Sequence, residues 1–239
     1  MEIKEFEALI EKRISETITK IIEKNLKLPI SSKSRAGAEI SDWIEKAFVE
    51  ELKINKVNDL ISAESAPKGK TKHPWDARVF FSIGGIKEEI WIDFKAIKIN
   101  HLDSNPDIGT PTKFYSFLES GGFYILYIFV YYEEIENGLQ FKKHENVFVK
   151  SYFLKDINKS FRRNPKNQLQ VNISAEPSYR TRENFIKLLM TKELESYERQ
   201  LIRANENIKK INNNLLSNKI ENINKMQEDK LIKELKKLK

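Results

Sequence analysis

The feature that most constrains the fold of this chain is the run FYILYIFVYY at Phe123–Tyr132, in which every residue is apolar or aromatic. A membrane helix needs about 20 consecutive apolar residues, and this run is much shorter. Its aromatic and β-branched side chains favour extended structure. The run therefore predicts a buried strand.

Helical and strand patterns alternate around this strand. Apolar residues spaced three and four apart predict an opening helix over 3–26 and a second helix from an N-cap at Ser34 to about Lys53. Alternating patterns on both sides of Gly84–Gly85 predict two strands joined by a tight hairpin. The order helix, strands, helix, strands indicates an α/β fold. A short helix is expected near 112–119, and further strands at 139–141, at 147–153 and in the segment LQVNIS.

The C-terminal part of the chain has the pattern of a helical arm. Apolar residues follow the spacing of a coiled-coil seam until Asn212–Asn214 interrupts it, and a second stripe from Ile220 does not continue the register. We therefore expect a core over 1–190 and a helical hairpin or broken arm over 191–239. The seam packs either within the chain or across a dimer, and the lysines of the arm can also touch a DNA backbone. Its residues are Leu194, Tyr197, Leu201, Ala204, Ile208, Ile211 and Leu215.

Composition excludes several classes of protein. The chain has no cysteine, which excludes disulfide scaffolds, Cys-ligated zinc and thiol nucleophiles. It has no apolar segment of the kind found in signal peptides, and we expect a cytoplasmic protein with no membrane partner. The 42 Lys and Arg exceed the 35 Asp and Glu by a net charge of +7. This excess points to an anionic partner such as nucleic acid.

Charged residues on the predicted hairpin form the pattern that carries chemistry. Because side chains alternate along a strand, Asp93 and Lys95 share one face of the segment IWIDFKAIK. Asp76 opens the preceding strand, so the hairpin brings its carboxylate alongside them. Glu39 lies at the edge of an apolar helical stripe, where a carboxylate has little structural use. Three acids and one lysine can therefore converge. The residues expected to face the core are Ile92, Phe94 and Ala96.

This set of side chains suits metal-assisted hydrolysis of a phosphodiester. Mg²⁺ prefers one or two carboxylates with waters and phosphate oxygens, and Asp76 and Asp93 supply such a partial shell. Lys95 can lower the pKa of the attacking water and offset charge on the transition state. Glu39 would hold a metal-bound water or a second ion. The alternative is an ordinary surface ion pair, because D-x-K occurs often by chance on strands.

The residues Glu39, Pro74-Trp75-Asp76 and Asp93-Phe94-Lys95 resemble the motif of the PD-(D/E)XK nuclease superfamily, with Pro displaced by one position. The layout over about 34–190 is also similar to that of type II restriction endonucleases. The resemblance implies a mixed central β-sheet flanked by helices. It also implies that Asp76, Asp93, Lys95 and Glu39 are catalytic, and that Asp76, Asp93 and Phe94 hold the metal.

The same resemblance implies how such an enzyme acts. It would be a homodimer that cuts both strands of a specific double-stranded DNA sequence with Mg²⁺, for which Mn²⁺ can substitute. It would be paired in the host with a DNA methyltransferase of the same specificity.

Three polar segments are candidates for DNA contact, because their donors and acceptors match base edges and phosphates. One follows the D-x-K strand, one lies between two later strands, and one begins a helix. Each could equally be a solvated loop or a helix cap. The candidates are Asn105, Asp107, Thr110 and Lys113 in the first segment, Arg162, Arg163, Asn164, Lys166, Asn167, Gln168 and Gln170 in the second, and Tyr179, Arg180 and Arg182 in the third.

Two other functions stay open from the sequence. One is a structure-specific or repair nuclease of the same superfamily, which would follow junctions or damage instead of sequence. The other is a non-catalytic dimeric DNA-binding protein, in which Asp76, Asp93 and Lys95 form a structural ion network. That protein would bind no divalent metal.

Overall fold

The helices and strands of the protein are defined by a computed structural model. It describes residues 1–26, 30–31, 36–55, 57–67, 75–102, 105–164, 168–216 and 219–237. The helices are α1 (Ile3–Asn25), α2 (Ala36–Ile54), α3 (Pro111–Glu119), α4 (Arg182–Leu216) and α5 (Lys219–Lys237). The strands are β1 (Leu60–Ser65), β2 (Ala77–Ile83), β3 (Ile86–Lys98), β4 (Asp107–Gly109), β5 (Tyr124–Ile135), β6 (Gly138–Phe141), β7 (Val149–Phe153), β8 (Arg162–Arg163) and β9 (Leu169–Gln170). The expected N-cap Ser34, the motif residue Pro74 and the candidates Lys166 and Asn167 lie outside the described residues.

A mixed sheet forms the centre of the fold, with strand order β1-β2-β3-β5-β6 and with β7 also paired to β5. Strands β2 and β3 are antiparallel and meet at Gly84 and Gly85, whose positive φ angles of 57° and 84° suit a tight hairpin turn. Strand β5 runs parallel to β3 and antiparallel to β6 and β7. The run predicted to be buried is buried throughout Tyr124–Tyr132. The α/β fold with a mixed central sheet is thus confirmed.

The two faces of this sheet pack against different layers. Helices α1 and α2 cover one face, where their apolar stripes pack against residues such as Ile92 and Phe94 of β3. The other face is covered by α3, the first turns of α4 and a small sheet of order β4-β9-β8. Ile97 faces this second layer. The alternation along β3 therefore places Asp93 and Lys95 on the second face, as the sequence predicts.

Two elements differ from the sequence prediction. Strand β1 (LISAES) pairs antiparallel with β2 but has no simple apolar alternation, because it lies at the edge of the sheet with most of its side chains partly or fully exposed. The segment LQVNIS contributes only the two residues of β9, which pair with β4 and β8. Strands of two or three residues are too short to show a period in the sequence.

The chain divides into two compact units, Met1–Leu189 and Met190–Lys239. The second unit contains the remainder of α4 and the whole of α5, which agrees with two separate helical stripes. Its apolar seam is exposed at Leu194, Leu201 and Ile211. In the part of the chain that the structure describes, no helix is both long and apolar enough to cross a membrane.

Candidate active site

Asp76 is held against β3 at the start of β2. Its backbone N–H donates to the Ile92 carbonyl at 2.9 Å, which extends the antiparallel ladder by one residue. Its carboxylate Oδ2 accepts a hydrogen bond from the Phe94 N–H at 2.7 Å. The side chain of Asp76 is therefore fixed beside the strand that carries Asp93, as the hairpin predicts.

Asp93 and Lys95 form an ion pair in which Lys95 Nζ lies 2.5 Å from Asp93 Oδ1. Burial, with a smaller contribution from the charge of Asp76, raises the pKa of Asp93 to about 7, although Lys95 opposes this shift. Burial acts to lower the pKa of Lys95, but the two carboxylates outweigh it and raise the pKa above its ordinary value. Lys95 is thus a firmly charged cation between two acids.

Helix α2 adds carboxylates to this neighbourhood. Burial raises the pKa of Asp76. The charge of Lys95 and the hydrogen bond from the Phe94 N–H lower this pKa, whereas the negative charge of Asp42 raises it. Burial raises the pKa of Glu45, and the charges of Asp76 and Asp42 add to this shift.

The predicted acid of α2, Glu39, is partly buried in the first turn of this helix. That turn packs on β3, because a Cβ atom on Gly37 would lie 3.9 Å from Ala96 Cβ. The negative charge of α2 that acts on the pKa of Asp76 is that of Asp42, and Glu45 in turn feels the charges of Asp76 and Asp42; neither acid was predicted from the sequence. The signal was present as acids spaced three residues apart along one side of α2.

The segment after β3 returns to the Asp93–Lys95 pair. Tyr127 is the cross-strand neighbour of Asp93 in the parallel ladder, and its hydroxyl donates to the Ile108 carbonyl of β4 at 2.6 Å. The charge of Lys113 lowers the pKa of Asp93, and that of Asp107 raises the pKa of Lys95. Two of the four candidates in this segment are thereby placed near the pair.

The other two candidates of this segment lie on either side of β4. Asn105 is exposed before β4, and Thr110 is the residue that precedes α3.

The candidates around β8 and β9 are mostly engaged with one another. Arg162 is exposed, whereas Arg163 is only 8% exposed and points into the protein. Asn164 bonds to Gln168 twice: its Oδ1 accepts from the Gln168 N–H at 3.0 Å, and its own N–H donates to the Gln168 carbonyl at 2.8 Å. Asp107 also accepts a hydrogen bond from the Asn164 side chain at 3.0 Å.

The candidates before α4 have intramolecular partners. The Arg180 guanidinium donates to the carbonyls of Lys155, Ile157 and Ser178, and burial lowers its pKa. Arg182 donates to the Tyr124 hydroxyl at 2.6 Å. These two arginines therefore anchor the start of α4 to the rest of the first unit.

Next to these arginines the ring of Tyr179 lies 4.0 Å from Lys155 Nζ. Lys155 is the centre of a buried charged cluster that the sequence analysis missed. Its Nζ lies 2.9 Å from Glu7 Oε2 and 2.7 Å from Asp156 Oδ1, and it donates to the Arg180 carbonyl at 3.0 Å. No local spacing reveals this cluster, because Glu7 belongs to α1 and the other residues lie far along the chain.

The donor set at β2 and β3 fits a hard cation with a partial protein shell. Within the described residues no group of three or more His, Cys, Asp or Glu side chains is arranged to hold a metal ion. Asp76 and Asp93 nevertheless supply two neighbouring carboxylates, and the Oδ1 atom of Asp93 is enclosed by protein. This matches Mg²⁺, which keeps several waters and takes one or two carboxylates from the protein.

A mixed sheet with two carboxylates and a lysine in this arrangement is consistent with a nuclease of the PD-(D/E)XK type. The model of the SwaI-like family, described as SwaI restriction endonuclease, matches residues 2–211. The chain therefore belongs to the SwaI-like restriction endonuclease family. Its activity is accordingly that of an endodeoxyribonuclease, a hydrolase that acts on DNA. A search of curated proteins finds no match.

Proposed function

We propose that this protein is a Mg²⁺-dependent type II restriction endonuclease that hydrolyses both strands of a specific double-stranded DNA sequence. One observation carries the proposal: the Asp93–Lys95 ion pair lies beside an Asp76 carboxylate that the Phe94 N–H holds in place. Membership of the SwaI-like family supports it. Paired carboxylates next to a lysine suit the hydrolysis of a phosphodiester better than a structural role does.

The residues of the site divide the chemical work. Asp76 and Asp93, with the main chain of Phe94, would hold the divalent ion, which when bound activates water and neutralises charge on the phosphate. Lys95 is kept protonated by its carboxylate neighbours, so its ammonium group can stabilise negative charge on the transition state. Glu39, which lies in the turn of α2 that packs on β3, would orient a water.

Contact with the DNA would come mainly from the side of the sheet that carries the small sheet. Four of the candidate residues belong to the segment that follows β3, the strand of the Asp93–Lys95 pair: Asn105, Asp107, Thr110 and Lys113. The fifth, Arg162, belongs to β8, which pairs with β9 in the small sheet. Arg163, Asn164 and Gln168 would act indirectly, by shaping this small sheet. Tyr179, Arg180 and Arg182 would hold only the first turn of α4, within the first unit, through their internal contacts.

The exposed apolar seam of α4 supports a homodimer. Leu194, Leu201 and Ile208 are more than half exposed and follow the spacing of a coiled coil. A second copy of the chain would present the same seam, and two copies place two sites on the two strands of one duplex. A DNA methyltransferase of the same specificity would protect the host DNA.

The first test is digestion of a phage DNA of known sequence by the purified protein, with Mg²⁺, with Mn²⁺ or with EDTA. The matched variants are Asp93→Ala and Glu88→Ala, which remove one carboxylate each from the same strand but from opposite faces. We expect discrete fragments from the wild type and Glu88→Ala in Mg²⁺ or Mn²⁺, and intact DNA from Asp93→Ala and in EDTA. End-sequencing of the fragments then gives the recognition sequence.

Each alternative gives a different result in this experiment. Retained cleavage by Asp93→Ala would contradict the assigned site. A smear without discrete bands, or cutting confined to junctions, would favour a structure-specific or repair nuclease. Intact DNA in every lane, together with no calorimetric signal for divalent metal, would favour a protein that only binds DNA.

The dimer is tested by sedimentation equilibrium of the wild type and of Leu201→Glu. A charge in the seam should convert a dimer into a monomer, whereas Glu198→Lys, which lies off the seam on the same helix, should leave the dimer intact. A wild type that sediments as a monomer at micromolar concentration would contradict this part of the proposal.

A further inference from the structure

The small sheet contains an exposed carboxylate whose contacts are unlike those of a phosphate-binding group. Asp107 Oδ1 accepts a hydrogen bond from Gln170 Nε2 at 2.8 Å and another from Asn164 Nδ2 at 3.0 Å. Asp107 and Gln170 are also directly paired in the β4–β9 ladder. A carboxylate repels DNA phosphates, so this residue serves another purpose if the surface meets DNA.

This group of residues lies close to the Asp93–Lys95 pair. Ile108, which follows Asp107, accepts a hydrogen bond from Tyr127, the cross-strand neighbour of Asp93. The charge of Asp107 also acts on Lys95. A duplex whose phosphate reaches Lys95 would therefore present nearby base edges to β4 and β9.

The two amide groups bonded to Asp107 are not equivalent. The Oδ1 atom of Asn164 already accepts the Gln168 N–H, so this amide is engaged at both ends. The Gln170 side chain is partly exposed, and the bond to Asp107 is the one hydrogen bond it forms within the described residues. Its oxygen and its second N–H hydrogen therefore remain for an outside partner.

The carboxylate fixes which way the Gln170 amide points. A carboxylate accepts hydrogen bonds and donates none, so the NH₂ group of Gln170 must face Asp107. The amide oxygen and the remaining hydrogen then face outward as an acceptor beside a donor. Adenine presents a complementary donor and acceptor at N6 and N7 in the major groove, whereas guanine presents two acceptors at O6 and N7.

We propose that Gln170 reads an adenine in the recognition sequence. Asp107 is the positioning residue, because its carboxylate prevents the Gln170 amide from rotating into the orientation that would favour guanine. This inference rests on the proposed function, because it assumes that the face of Lys95 meets DNA. It assigns base readout to a residue of β9 and gives Asp107 an indirect role in specificity.

The test is a binding selection from randomised DNA duplexes in the absence of divalent metal, with the full chain carrying Asp93→Ala so that cleavage plays no part. In this background Gln170→Ala should lose the preference for adenine at one position of each half-site. Asp107→Asn should bind adenine and guanine alike. The asparagine amide can accept from the Gln170 NH₂ group or donate to the Gln170 oxygen, so the Gln170 amide is free to adopt either orientation. The adenine preference lost should be roughly 10- to 100-fold, as for one bidentate amide–base contact.

Two controls separate positioning from loss of charge or of folding. Asp107→Glu keeps an acceptor and should restore the adenine preference. Glu136→Gln removes the same charge from the exposed turn between β5 and β6 and should select the same sequences as the parent. Thermal melting of every variant should agree to within a few degrees.

The outcomes also distinguish this inference from the proposed function. Identical selected sequences from the parent, Gln170→Ala and Asp107→Asn would overturn the inference, even if the wild type cleaves DNA at specific sites. Loss of a preference for cytosine in Asp107→Asn would overturn it as well, because Asp107 would then read a base directly. An adenine preference that depends on Gln170, in a protein that cuts no DNA, would support the inference and contradict the endonuclease.

Discussion

Two buried lysine–carboxylate pairs in the first unit differ in their surroundings. Lys155 Nζ lies 2.9 Å from Glu7 and its side chain is 1% exposed, with Asp156 and the Arg180 carbonyl as further partners. Lys95 Nζ lies 2.5 Å from Asp93 and its side chain is 26% exposed. Both pairs are surrounded by protein, but one is enclosed and the other can be reached by a substrate.

The difference between the pairs indicates what each is for. The ammonium group of Lys155 has protein partners for all of its hydrogens, so it joins α1 to the segment before α4 and has no capacity for a ligand. The Asp93–Lys95 pair has excess negative charge from Asp76 and an open side. A buried pair that is saturated suits structure, and one that is incomplete suits chemistry.

The largest effect is expected from Lys95→Met, which should reduce the rate of DNA cleavage roughly 10³- to 10⁴-fold. Folding should change little, because Asp93 already has a raised pKa and can become neutral when its partner is removed. Lys98→Met is the matched control, since Lys98 has the same side-chain exposure of 26% on the same strand but faces the other side. Equal cleavage rates for the two variants would refute the catalytic role of Lys95.

Lys155→Met should give the opposite pattern. It leaves the carboxylates of Glu7 and Asp156 buried without their cation, which should lower the free energy of unfolding by about 3 kcal/mol. Cleavage per folded molecule should persist at low temperature. Urea titrations measure this effect, with Lys150→Met as control, because the partner of Lys150, Glu176, is 82% exposed and such pairs contribute about 1 kcal/mol or less. A loss of under about 1 kcal/mol for Lys155→Met would show that the cluster is not structural.

Tyr127→Phe tests the anchor that holds β4 near Asp93. Removing the hydroxyl leaves the buried Ile108 carbonyl without its 2.6 Å hydrogen bond and should cost about 1–2 kcal/mol of stability. Tyr152→Phe is a close control, because the Tyr152 hydroxyl is buried without a hydrogen-bond partner in the described part of the chain. Its loss should be neutral or stabilising, and thermal melting compares the two. Equal destabilisation by both substitutions would speak against the anchor.

The smallest effect concerns Glu11 of α1, whose pKa is raised by burial despite a hydrogen bond from Ser151. The native state binds this proton more tightly than the unfolded state, so wild-type stability relative to Glu11→Gln should fall as pH rises from about 4.5 through the raised pKa. The difference should stay below about 1 kcal/mol. Unfolding free energies at pH 4.5 and pH 8 test it, and Glu16→Gln on the same helix, where the side chain is 45% exposed, is the matched control.

Much of the main sheet followed from local patterns. The opening helix and the strands of the Gly84–Gly85 hairpin have a clear period, β5 is a continuous apolar run, and the structure has all of them near the expected bounds. Strand β1 was missed, because an edge strand has no continuous apolar face. An acid of α2 was predicted at Glu39, but it is Asp42 whose charge acts on the pKa of Asp76, and Glu45 whose pKa responds to Asp76.

The sequence by itself determined that Asp93 and Lys95 share a face and that Asp76 stands beside them, because the two-residue period of a strand and a tight hairpin are local geometry. Only the tertiary structure decided which distant groups complete each site. Gln170 meets Asp107, and Lys155 meets Glu7, across long stretches of chain. Such pairs arise when packing of the whole sheet brings separate segments together, and no spacing along the chain encodes them.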